Sequence, residues 1–149
     1  MATRLPAVSL RSVGTAAICV LVTCALLSAA RQASLYGLIE QPNVALVHFM
    51  LGAVACIGCA ILSLRAAGWW GRVTMAAAGV LVMWFAVFLG TVTHFDVWQA
   101  VPNPPSEAYA DGAQLIACVV VGWIPGVLLY GCALAAAWGG RRVLMGGPR

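Results

Sequence analysis

The stretch VALVHFMLGAVACIGCAILSL, residues 44–64, decides the fold class of this chain. It contains no Asp, Glu, Lys or Arg, and its one titratable ring is that of His48. A helix of this length rises about 32 Å at 1.5 Å per residue, which is enough to cross the roughly 30 Å hydrocarbon core of a bilayer. The stretch is therefore predicted to be a transmembrane helix.

Three other segments have a similar length and composition, over residues 13–30, 73–93 and 113–138. The whole chain of 149 residues is 63% hydrophobic and 8% charged, with a mean hydropathy of +0.98. Soluble domains are about 25% charged. The sequence thus predicts an all-α integral membrane protein of four transmembrane helices in a single domain. Its partner is the lipid bilayer, and the net charge of +4 is not taken as a sign of a nucleic-acid ligand.

The first apolar segment also resembles a secretory signal peptide. Arg4 and Arg11 precede it, and the small residues at its end, 28–30, resemble a cleavage site. We favour a first membrane helix, with the arginines as its anchor at the membrane surface.

The charged residues divide between the two sets of connections. Seven arginines lie before the first helix, between the second and third, or after the fourth: Arg4, Arg11, Arg65, Arg72, Arg141, Arg142 and Arg149. The remaining connections hold Arg31 and all four acidic residues: Glu40, Asp96, Glu107 and Asp111. Because positively charged flanks resist translocation, both termini are predicted to be cytoplasmic (N-in/C-in), with residues 31–43 and 94–112 outside. The short connections predict an antiparallel up-and-down bundle, in a bacterial inner membrane or alternatively an organellar one.

The fourth predicted helix contains a packing signal, GWIPG at residues 122–126. Gly122 and Gly126 are four residues apart and allow a neighbouring helix to approach closely, which drives helix association in lipid. Pro125 removes one backbone N–H and predicts a kink. A carbonyl freed at that kink is a predicted acceptor for the indole N–H of Trp84. A docking groove for a partner helix and a kink that lines a ligand cavity are the alternatives.

Cys56 and Cys59 form a C-x-x-C motif within residues 44–64. Redox motifs of this kind normally open a helix at a polar surface, whereas this pair lies in the middle of an apolar helix. We therefore interpret the cysteines as small packing residues. A thiol pair that reduces quinones or handles a metal is the alternative.

His48 and His94 are both predicted near the outer face, on neighbouring helices. Ionisable residues at membrane depth suggest a functional site. Together with Asp96, the histidines are candidate metal ligands. The two histidines are also candidates for binding a haem, or for a proton relay beside a quinol. The simpler interpretation is that His94 caps the third helix, Asp96 begins the loop, and His48 bonds to a neighbouring helix.

Two functions follow from these patterns. The first is a small polytopic membrane protein that serves as a non-catalytic subunit or accessory factor beside other membrane protein subunits. The alternative is an outer-face histidine site that binds a metal, a haem or a quinol in membrane electron transfer. An enzyme is the less favoured class, because no convincing catalytic set is present.

Overall fold

The computed structural model describes residues 10–66, 68–103 and 112–145, and all regular structure in these ranges is helical. The elements are α1 (Leu10–Leu35), a 3-10 turn (Gln41–Asn43), α2 (Val44–Ser63), α3 (Gly68–Gln99), α4 (Gly112–Val121) and α5 (Ile124–Met145). Four spans are long and apolar enough to cross a membrane: Leu10–Leu35, Val44–Ser63, Gly68–Gln99 and Ala113–Gly140. The prediction of an all-helical chain with four such helices is confirmed for the described residues.

Three of the helices extend beyond their predicted ends. α1 continues past Ala30 to Leu35, α3 continues past Thr93 to Gln99, and α5 continues past Trp138 to Met145. His94 and Asp96 therefore lie within a helix, so the interpretation of His94 as a helix cap and Asp96 as the first loop residue is wrong. The apolar pattern predicts only the apolar part of each helix. The helix itself extends further, because polar residues with adequate helix propensity also form its backbone hydrogen bonds.

The fourth span is broken at Gly122–Trp123 and was predicted as one helix. Pro125 is the second residue of α5, where its missing N–H costs little, because the first N–H groups of a helix have no partner within it. The indole Nε1–H of Trp84 donates to the carbonyls of Cys118 and Val119, each at 3.2 Å. The acceptor for Trp84 is thus found in the last turns of α4, beside the break.

The α2–α3 pair forms the centre of the bundle, and α1 and α5 flank it. Consecutive long helices run antiparallel, so the starts of α1 and α3 lie beside the ends of α2 and α5. We call this the arginine end, and it contains Arg11, Arg65 and Arg72. The opposite end contains His48 and His94, and we call it the histidine end.

Small residues allow α2 and α3 to approach closely. A Cβ atom added at Gly52 would lie 2.5 Å from the Cβ of Ala86, and one added at Gly79 would lie 3.1 Å from the Cβ of Cys59. Cys56 and Cys59 are 0% and 1% exposed and occupy this contact as free thiols. Both cysteines therefore pack between helices.

The α5 helix packs against α3 through Gly126. A Cβ atom there would lie 3.1 Å from the Cα of Val80 and 3.2 Å from the Cβ of Met83. A Cβ atom at Gly122 would clash with the carbonyl oxygen of Cys118 on α4 and would also lie 3.1 Å from Cδ1 of Trp84 on α3. Both glycines of GWIPG thus face α3 within the same chain.

Candidate functional site

His48 lies one turn into α2, and its side chain is 0% exposed. Its Nδ1 is 2.8 Å from the carbonyl oxygen of Val44. Because a carbonyl can only accept, Nδ1 must carry the proton in this bond, and in the neutral ring the lone pair is then on Nε2. The Nε2 atom is buried and has no hydrogen-bond partner among the described residues.

The backbone of α3 holds His48 in place. A Cβ atom added at Gly90 would lie 2.8 Å from the Cβ of His48 and 3.4 Å from its Cγ. Only glycine leaves room for the imidazole at this crossing. The Val44 carbonyl orients the ring and Gly90 accommodates it, so the direction of the Nε2 lone pair is set by packing.

His94 lies on α3, four residues after Gly90 and therefore on about the same face of the helix. Its Nδ1 is buried and also lacks a partner among the described residues. The centroid of its ring lies 5.0 Å from the ring centroid of Trp98 and 5.8 Å from that of Phe95. The His94 and Phe95 rings meet edge to face. One turn of α3 separates the level of His94 from that of His48, or about 5–6 Å along the bundle axis. The two imidazoles thus occupy successive layers of the histidine end.

Asp96 is paired with Arg31, the arginine that the sequence placed on the acidic side. Arg31 Nη2 donates to Asp96 Oδ2 at 3.0 Å, and each side chain is 38% exposed. The pair joins the last turns of α1 and α3. The sequence placed Arg31 on this side without indicating which acidic residue it pairs with, although its charge, opposite to that of the surrounding acids, predicts an ion pair here.

No group of three or more His, Cys, Asp or Glu side chains that could hold a metal ion occurs in the described ranges. Glu107 and Asp111 lie outside those ranges. Cys56 is two turns from His48 along α2, or about 12 Å along the axis, so the cysteines of α2 belong to a different layer. The histidine end therefore offers two imidazole nitrogens, the thiol of Cys118, whose Sγ lies 3.5 Å from Oγ1 of Thr91 on α3, and one carboxylate that is engaged with an arginine.

The arrangement at His48 has a definite chemistry. A histidine that ligates a metal normally donates its other N–H to a carbonyl or carboxylate, which fixes the tautomer and the ring. A neutral imidazole held in the same way also accepts a proton or a hydrogen bond from a hydroxyl group. His48 has the first half of either arrangement, and its buried Nε2 is the unpaired nitrogen that the second half requires.

Comparison with family models, with curated proteins and with solved structures finds no match to this chain.

Proposed function

We propose that the chain is an integral membrane protein of a bacterial inner membrane, with the arginine end in the cytoplasm and the histidine end outside. The location of seven of the eight arginines on one side supports the orientation, and the length of α3 supports a full membrane crossing. Trp70 and Trp98 are 28 residues apart on one helix, or about 42 Å, and a bilayer with its headgroup regions is about 40–45 Å thick. Indole rings favour the two interfaces, so these two tryptophans mark both edges of the span.

The orientation makes a labelling prediction. In intact cells, a membrane-impermeant maleimide should label a Tyr36→Cys variant, because Tyr36 is exposed in the turn after α1 at the histidine end. An Ala67→Cys variant, between α2 and α3, should react only after the membrane is permeabilised. The unsubstituted chain, whose six cysteines all lie within the apolar spans, is the background control. Labelling of Ala67→Cys in intact cells would reverse the proposed topology.

We further propose that the histidine end binds a redox-active ligand, a haem, a metal ion or a quinol, in membrane electron transfer. One observation carries this proposal. Two buried side-chain polar atoms lack a hydrogen-bond partner among the described residues, and both are imidazole nitrogens at this end. Buried polar groups are almost always paired, so each exception needs an explanation such as a ligand.

Four buried hydroxyl groups show the contrast. They donate to the backbone carbonyl three or four residues earlier: Thr23 to Cys19, Ser34 to Ala30, Ser63 to Ala60 and Thr93 to Leu89. Each of these hydroxyl groups forms its hydrogen bond within its own helix. His48 forms one through Nδ1, and its Nε2 has no partner among the described residues. The lone pair of a neutral Nε2 coordinates haem iron or a metal ion, or accepts a hydrogen bond from the hydroxyl group of a quinol.

The purified protein is expected to contain such a ligand. One of three assays should detect it: absorption spectroscopy for a haem, metal analysis for a metal ion, or solvent extraction for a quinone. The amount found should be close to one ligand per chain. A His48→Leu variant should lose the ligand. A Thr93→Val variant, which removes a buried but satisfied hydroxyl group from the same end, should retain it. Wild-type protein from native membranes without haem, metal or quinone would remove the ligand proposal.

The second candidate is a non-catalytic subunit or accessory factor that packs beside other membrane proteins. Its support is the α4 segment, whose main helix contact is with α3. The face turned away from the bundle is apolar and includes Ile116, Val119 and Val120, which are 49–64% exposed. This function remains the proposal for a chain that contains no ligand.

A further inference from the structure

A cavity of about 340 Å³ lies at the arginine end, between the start of α1, the α2–α3 turn and the start of α3. Its lining has two kinds of surface. Arg11, Ser12, Thr15 and Arg65 supply polar groups, and Leu62 and Met75 form an apolar side. The cavity is therefore amphipathic and lies where the apolar spans end.

Both arginines come to the cavity without an acidic partner. Arg11 is in the first turn of α1, and Arg65 is in the turn after α2, where its N–H donates to the carbonyl of Leu62 at 3.0 Å. Neither forms an ion pair in the described part of the chain. The sequence supplies none nearby, because residues 1–30, 41–95 and 112–149 contain no Asp or Glu. Two guanidinium groups thus line one cavity with no counter-ion from the bundle.

The hydrogen-bonding groups of the cavity are suited to an anion with several acceptor oxygens. Each guanidinium has five N–H donors in a planar fork that matches phosphate oxygens. Thr15 Oγ1 already donates to the carbonyl of Arg11 at 2.9 Å, so the free donors come chiefly from the arginines. Charge-assisted bonds of this type are the stronger class of hydrogen bond.

We propose that this cavity binds the phosphate group of an anionic phospholipid. Arg11 and Arg65 hold the phosphate, and Leu62 and Met75 contact the glycerol and the first acyl carbons. Basic pockets between transmembrane helices on the cytoplasmic side bind phospholipid headgroups in this way. The assignment rests on the membrane orientation proposed above and is independent of the histidine end.

A second cavity at the same end provides a matched control. It has a volume of about 360 Å³ and a mostly apolar lining that includes Trp69, Arg72, Tyr130 and Trp138. Arg72 is exposed and lies at the same end as Arg65, so its replacement removes the same charge from the other cavity.

The test is native mass spectrometry of the protein in neutral detergent, titrated with phosphatidylglycerol or phosphatidylcholine. One phosphatidylglycerol should be retained in preference to phosphatidylcholine. Arg11→Gln and Arg65→Gln should each weaken its binding about fivefold, and Arg72→Gln by less than about twofold. All three side chains are exposed, so the variants should melt like the wild type in lipid-free detergent, which shows that they fold.

Three results would overturn the proposal. Equal retention of the two lipids would show that the anionic headgroup is not recognised. Equal weakening by Arg65→Gln and Arg72→Gln would reduce the effect to general surface charge. Stabilisation by inorganic phosphate as large as that by phosphatidylglycerol, and lost in Arg65→Gln, would assign the cavity to free phosphate and not to a lipid. The outcomes do not depend on whether the histidine end binds a ligand.

Discussion

A Gly52→Leu variant is expected to lose about 1–3 kcal/mol of unfolding free energy or more, which is the range for overpacking a close-fitted core. Gly52 is buried, and even a methyl group there would lie 2.5 Å from the Cβ of Ala86 and 3.1 Å from the Sδ of Met83. The Cβ of Ala86 is fixed to the backbone of α3, so relief requires the two central helices to separate. That separation would also loosen the contacts of α1 and α5, which pack on the same pair.

The matched control for this variant is Gly58→Leu on the same helix. A Cβ atom at Gly58 has no atom within 4 Å, so leucine there meets open space. Both variants add the same side chain to an α2 glycine, which cancels the change in helix propensity. Thermal unfolding in detergent, followed by the loss of helical circular dichroism, measures the difference. Equal unfolding temperatures for the two variants would contradict the close α2–α3 crossing.

A His48→Leu variant is expected to be more stable than the wild type when both are free of ligand. Leucine removes the buried Nε2 atom, and an unpaired buried polar group costs about 1–3 kcal/mol. The lost bond from Nδ1 to the Val44 carbonyl offsets part of this gain, since a typical hydrogen bond contributes about 0.5–1.5 kcal/mol net. A net gain of about 1 kcal/mol corresponds to a rise of about 2–4 °C in unfolding temperature for a chain of this size. A residue that weakens the apoprotein in this way is typical of a functional site.

Thr93→Val serves as the control for this prediction. Thr93 is also buried at the histidine end, but its hydroxyl group donates to the Leu89 carbonyl at 2.7 Å. Removing a satisfied group should not stabilise the protein. If His48→Leu instead lowers the unfolding temperature of the ligand-free protein, His48 has a structural role, and the ligand proposal loses its main support.

The helix ends show where sequence prediction stops being accurate. The apolar core of every span was located correctly, because the transfer of apolar side chains into lipid depends on local composition. The last turns of α1 and α3 were missed because Arg31 and Asp96 lower the local hydropathy. Arg31 and Asp96 pair with each other between these two turns. They are 65 residues apart in sequence, so a hydropathy window of 19 residues cannot detect the pair.

The close helix contacts show a related limit. The sequence singled out Gly122 and Gly126, and both contact α3. Gly52 and Gly90 were not singled out, although they lie at the tighter contacts between α2 and α3. A usable signal was present, because Gly52, Cys56 and Ala60 are spaced by four residues and present one line of small side chains on α2.

The sequence by itself determined the all-helical class, the four apolar spans and the separation of arginines from acids. These properties follow from the composition of each segment and its local surroundings. Only the tertiary structure decided that His48 is sealed by Gly90 with Nε2 unpaired, that Asp96 meets Arg31, and that Arg11 and Arg65 line one cavity. Each of these depends on which faces of two helices meet. In lipid the hydrophobic effect gives little preference for one apolar face over another, so that choice depends on close packing between distant residues.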